Sequence, residues 1–180
     1  MSSFKVNKTI SFKSRICIFN KLYFVMSLKK FSYGRDTLTC QLAKQILQDN
    51  LICQIQDEEI NKIKKSRQNI INVLESSRRI YGVNTGIGEL CNTIISDKDS
   101  KLLQENLLKS HAVGVGESAP LEISKLMMIL KVHSLCKGFS GISLEVIKRI
   151  CWHIEKNIIP IIPSQGSVGA SGDLAPLAHL

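Results

Sequence analysis

Residues 164–180 read SQGSVGASGDLAPLAHL, and both fold and function turn on what that stretch is for. Four small residues in succession, Gly169, Ala170, Ser171 and Gly172, interrupt a chain otherwise rich in isoleucine and leucine. A phosphate loop would carry Lys-Ser or Lys-Thr after its last glycine, and Asp173 stands there instead. A dinucleotide fingerprint needs the order GxGxxG behind a strand, and neither is present. A plain glycine loop whose amides meet an anion is the bland reading. The chemical reading is that the backbone itself is the reagent. If the chain bends so that the Gly172 nitrogen reaches the Ala170 carbonyl carbon, a five-membered ring closes. Water leaves from that carbon, the Ser171 hydroxyl leaves as a second water, and an exocyclic methylidene conjugated to the ring remains. Glycine permits so tight a bend, and bulky neighbours would block it.

Upstream of this loop, amphipathic stretches alternate with short turns. Thr39 is placed to cap a helix carrying Leu42, Ala43, Ile46 and Leu47 on one face. Asp57, Glu58 and Glu59 open a second helix, since acids favour a helix N-terminus, with Ile60, Ile63, Ile70, Ile71 and Leu74 following at helical spacing. A third is expected over Asp99–Val113, with Leu103, Leu107 and His111 on one face. Leu121–Lys137 is apolar nearly all round, which predicts a helix buried among others and stopped by Gly138. Ser143–Asn157 gives a fifth, with Ile147, Ile150, Cys151, Ile154 and Ile158 facing inward and Pro160 and Pro163 ending it. No alternating strand or repeat stands out, so the expected fold is mainly α, with irregular loops at 81–88 and 163–172. The buried helix wants more apolar neighbours than five helices supply.

The net charge of +9 suggests a nucleic-acid partner only until it is mapped. Eight of the 24 basic residues lie in positions 1–35, which hold no acid, and the remaining 16 face 15 acids. The body is close to neutral, so no basic binding face is indicated. Residues 1–35 therefore read as a basic N-terminal extension and 36–180 as the domain. Met26 is the expected start, with an organellar transit peptide as the alternative. No apolar run approaches the roughly 18 residues that cross a bilayer, so no membrane partner is expected. Six cysteines without a CxxC pair or a histidine at ligand spacing point to free thiols in a reducing compartment, taken as the cytoplasm, and to no metal site.

Taken together, GSVGASGDLAPLAH (166–179), YGVNTGIGEL (81–90), NLLKSHAVGVG (106–116) and KGFSGISLE (137–145) resemble, in order, the motifs of the aromatic amino-acid lyases. The resemblance covers roughly residues 36–180. It implies the N-terminal part of a large helical-bundle lyase fold, truncated at the prosthetic-group loop. It also implies that Ala170, Ser171 and Gly172 mature by themselves into 4-methylidene-imidazol-5-one. Ser110-His111 is similar to the histidine ammonia-lyases, where phenylalanine-specific members carry apolar residues. The implied reaction is deamination of L-histidine to trans-urocanate and ammonia.

In that setting Tyr81 resembles the base that takes the β-proton. A phenol of ordinary pKa about 10 needs cationic or dipolar surroundings to do this near neutrality. His111, Ser110 and Asn84 are the candidate substrate contacts, although Asn84 and Thr85 also fit a purely turn-holding role. Asp173 is placed to cap the helix that follows, His179 to pack it, and His133 and His153 to be core or surface side chains. The family also implies a homotetramer whose active sites draw on several subunits. Ile87, where many members have Phe, and Lys131-Val132-His133, where Arg-Ile-Asn is common, depart from the pattern and bear on substrate choice and stability. Another aromatic amino-acid lyase, an aminomutase and an inactive truncated remnant remain alternatives.

Overall fold

The computed structural model describes residues 29–76, 78–88, 91–93, 95, 97–167 and 172–180, without the side chains at 97, 98 and 100. Its first unit is a β-α-β crossover. Strand β1 (Lys29–Ser32) runs parallel to β2 (Leu51–Gln54), in register from Lys29 opposite Leu51 to Ser32 opposite Gln54. Helix α1 (Cys40–Leu47) makes the connection that a parallel pair requires. Thr39 caps it as expected, its Oγ1 accepting from the Leu42 amide at 3.3 Å. At the other end the buried Lys125 ammonium donates to the Leu47 carbonyl at 3.4 Å and Asp49 Oδ1 at 3.1 Å. A cation there offsets the orphan carbonyls of a helix C-terminus.

Helix α2 (Asp57–Leu74) begins on its three acids, and α3 (Asp97–His111) ends on the Ser110-His111 pair. Strand β3 (Val115–Ser118) then leads into α4 (Leu121–Leu135), α5 (Leu144–Glu155), β4 (Pro163–Gln165) and the single turn α6 (Ala175–Ala178). Strands β3 and β4 pair antiparallel, Val115 opposite Gln165, and the Ala119 amide extends the ladder to the Ile162 carbonyl at 2.8 Å. The core lies where α4 packs on α1 and α5, and where α2 packs on α5. Phe31, Ile63, Ile129, Val132, Cys136 and Ile147 are each at most 1% exposed there. Phe31 meets Tyr33 edge to face at 5.6 Å between ring centroids.

The mainly α expectation holds, and all five helices form. The strands are a correction: four short ones exist among the described residues, each too short to show alternation. Phe31 and Tyr33, within the stretch 1–35, are 1% and 2% exposed and belong to the core. Residues 1–28, and with them the expected start at Met26, lie outside the described residues. Helix α4 is not buried all round: Ile123 and Leu130, on the face opposite Lys125, Met128 and Val132, are about half exposed, and so is Leu121 at its first position. Ile158 is exposed as well, because α5 ends at Glu155 and Asn157 turns left-handed with φ 52°.

Candidate functional site

The loop after α2 is built by its own polar residues. Asn84 Oδ1 accepts from the Ile80 amide and its Nδ2 donates to the Arg78 carbonyl, both at 2.8 Å. Buried Thr85 accepts from the Gly82 amide at 3.3 Å and donates to the Gly86 carbonyl at 2.9 Å. Outside the turn, the Gly86 amide reaches Thr93 and the Ile95 amide reaches Asn84, at 3.0 and 3.1 Å. Tyr81 is thereby presented at 61% exposure, its hydroxyl oxygen accepting from the Gly88 amide at 3.3 Å. Both ends of the Asn84 amide are used within the loop, so a substrate contact there would compete with a bond that shapes it.

Ser110 and His111 close α3. Ser110 Oγ donates to the Leu107 carbonyl at 2.9 Å, and His111 Nδ1 lies 2.8 Å from the same oxygen and 3.0 Å from Ser110 Oγ. A carbonyl oxygen only accepts, so this geometry puts the proton of neutral His111 on Nδ1. Its Nε2 is left as an acceptor. The ring is half-buried, against the same face that carries Leu103 and Leu107.

Residues 168–171, and with them Ala170 and Ser171, lie outside the described residues; the chain is described up to Ser167 and again from Gly172. Gly172 has φ +92°, a left-handed backbone that glycine adopts freely, and its missing Cβ would point into open space. Asp173 Oδ1 accepts from the Ser167 amide at 3.0 Å, the Ser167 hydroxyl at 3.3 Å and the Ala175 amide at 3.0 Å. Asp173 is not the N-cap of α6, a place Leu174 takes, but its carboxylate holds the first amide of that turn and also draws the chain before the triplet toward the chain after it. Gly166 makes room, since a Cβ there would collide with the Asp173 carboxylate.

The tie between this clasp and α3 was not legible in the sequence. His179, at the end of α6, accepts from the Gly114 amide through Nε2 at 3.0 Å, and α6 packs on α3. The turn after His111 is therefore fixed to the segment after the triplet. Tyr81 belongs to a separate loop, whose bonds run to Thr93 and Ile95. The cavity of about 960 Å³ beside β2, lined by Tyr33, Leu51, Cys53, Cys151 and Trp152 among others, contains none of the expected site residues. Burial pushes the Cys151 thiol up to about 12 and raises that of Cys53, which disfavours the thiolate. Among the described residues no group of acids, histidines and cysteines is arranged to hold a metal ion, and no helix is long and apolar enough to cross a membrane.

Residues 38–180 match the aromatic amino acid lyase family. Over 145 residues, 81% of this chain, it is 43% identical to the histidine ammonia-lyase of Staphylococcus aureus (strain MRSA252), covering 29% of that protein. It is 41% identical to the histidine ammonia-lyase of Streptococcus pyogenes serotype M5 (strain Manfredo), again over 81% of this chain and covering 28% of the relative. Among solved structures, histidine ammonia-lyase from Trypanosoma cruzi aligns with TM-score 0.71 and 33% identity, over 84% of this chain and 28% of that one. Tyrosine aminomutase from Streptomyces globisporus aligns with TM-score 0.74 and 30% identity, over 83% and 28%. The chain spans less than a third of the length of these relatives. On motifs, fold and likeness alike, it belongs to the aromatic amino acid lyase family.

Proposed function

We propose that this chain is the ring-forming part of an ammonia-lyase that converts L-histidine to trans-urocanate and ammonia without oxidation. The observation that carries the reading is the clasp around the triplet. A tight bend at 170–172 is favoured by flanks held together and by a left-handed Gly172; the Asp173 carboxylate supplies the first and the φ of +92° at Gly172 the second. The described chain on either side, Ser167 and Gly172 onward, supports formation of the 4-methylidene-imidazol-5-one ring by Ala170, Ser171 and Gly172. That group would supply an electrophile to which the substrate amine adds, which turns nitrogen into a workable leaving group.

The remaining roles fall to side chains of this chain. Tyr81, exposed on a braced loop, is the proposed acceptor of the β-proton, with Asn84 holding that loop in shape. His111, with Nε2 free to accept, suits a substrate that brings an N–H, as an imidazole does. Ser110 reinforces that orientation through the shared Leu107 carbonyl. The relatives named as histidine ammonia-lyases support histidine as the substrate. The tyrosine aminomutase likeness keeps re-addition of ammonia at the β-carbon as the second reading. A homotetramer is the proposed assembly and the cytoplasm the proposed compartment; the exposed apolar side chains of α3 and α4 support the former, the free thiols the latter.

The test is the mass of the tryptic peptide spanning Ala170–Gly172 in the purified chain, beside Ser171→Ala. Loss of two waters in the wild type and none in the variant is the expected result. A folded wild-type chain with an unmodified triplet would count against self-maturation in this polypeptide. Urocanate formation from L-histidine then reports the reaction itself.

A further inference from the structure

Gly114 has no left-handed backbone to explain it; it is glycine for reasons of space. A Cβ there would stand 2.9 Å from His179 Nε2 and 3.0 Å from two carbons of Pro163. The imidazole and the proline ring close directly on the backbone, and the imidazole takes the Gly114 amide as its hydrogen-bond donor at 3.0 Å. One residue further on, Val115 pairs with Gln165 in the β3–β4 ladder. The turn leaving His111 is therefore gripped twice. The ladder ties it to the chain just before the triplet, and His179 ties it to the chain just after. Asp173 then joins those two flanks to each other.

We propose that His179 is a positioning residue for the ring-forming segment, locking the chain downstream of the triplet to the turn that follows Ser110-His111. It acts through Gly114 and touches neither substrate nor ring. An acceptor nitrogen at Nε2 is what the role requires, so neutral His179 carries its proton on Nδ1. The inference rests on the ring-forming reading of the triplet for its consequence, but the clasp is measurable without it.

The experiment uses the full 180-residue chain and three variants: H179F, which keeps a ring without an acceptor, H179Q, which restores an acceptor, and G114A, which keeps the imidazole but crowds it out. Two quantities are read: amide hydrogen exchange at Gly114, and the fraction of the 170–172 peptide that has lost two waters. The expected result is exchange about tenfold faster in H179F and G114A, with H179Q close to wild type. The dehydrated fraction should fall and recover in the same order. A merely space-filling role predicts instead that H179F behaves as wild type and H179Q does not. Unchanged exchange in H179F overturns the clasp, and changed exchange with an unchanged dehydrated fraction overturns its part in maturation. A wild-type chain that never loses the waters defeats the ring-forming reading and with it the maturation role, while the exchange arm still decides whether the clasp exists.

Discussion

Asp173 concentrates three hydrogen bonds on one carboxylate oxygen, and two of them come from the far side of the triplet. A bond to a charged acceptor contributes about 1.5–3 kcal/mol when its loss strands the partner, so Asp173→Ala should cut the dehydrated fraction of the 170–172 peptide at least about tenfold. Gly166→Ala reaches the same end from the other strand, by pushing the carboxylate off its donors, and should reproduce the defect with Asp173 intact. Mass spectrometry of both variants checks this; a Gly166→Ala chain that matures normally would mean the clasp is dispensable. The triplet itself could be read from the sequence because its chemistry depends on three adjacent residues. Gly166, Gly114 and His179 could not be read in the same way. Their meaning is a close approach between segments as much as 65 residues apart, and no spacing in the text records it. Asn84 was half legible: its place beside Tyr81 was clear, but only the structure shows both ends of its amide used inside the loop.

At the scale of elements, the helices were legible and the strands were not, for one reason. A helix of 8–18 residues repeats its apolar period several times, as in α1, α2 and α5, whereas strands of three or four residues complete barely one alternation. Strand β1 is further disguised by Lys29 and Lys30, whose exposed side chains made it look like part of a basic tail. The caps and the core carry separable energies. Thr39→Ala removes the Oγ1 acceptor of the Leu42 amide and should cost about 1 kcal/mol. Ile147→Ala empties a site that is 0% exposed between α5 and its neighbours, and should cost about 2–5 kcal/mol. Urea midpoints for the two variants should therefore differ severalfold in displacement from wild type. Equal displacements would mean that Ile147 can be removed with the core collapsing behind it.

For the molecule as a whole, the exposed apolar residues and the pH response both follow from what surrounds α4. Phe139 is 90% exposed, and Leu121, Ile123 and Leu130 are about half exposed. On its covered side, α4 carries His133, whose Nδ1 accepts from the Gly34 amide at 3.2 Å and whose ring stands 5.7 Å from that of Phe31. Burial, then the nearby Lys137 charge, lower its pKa below the ordinary 6.5, against a smaller opposing pull from Asp36. The unfolded chain thus takes up this proton before the folded one does. Stability is full above 6.5, falls as the pH drops from there to the lowered folded value, and loses nothing more from this group below it. Glu58 and Glu145, both held below the ordinary 4.5, respond only in more acid solution, where protonation withdraws the stability they contribute. Urea unfolding at about pH 7.5 and about pH 5.5 should accordingly show a loss of stability in the wild type that His133→Asn largely abolishes. If the loss persists in His133→Asn, another group sets the acid response, and the contact between β1 and α4 is not the pH-sensitive seam of the fold.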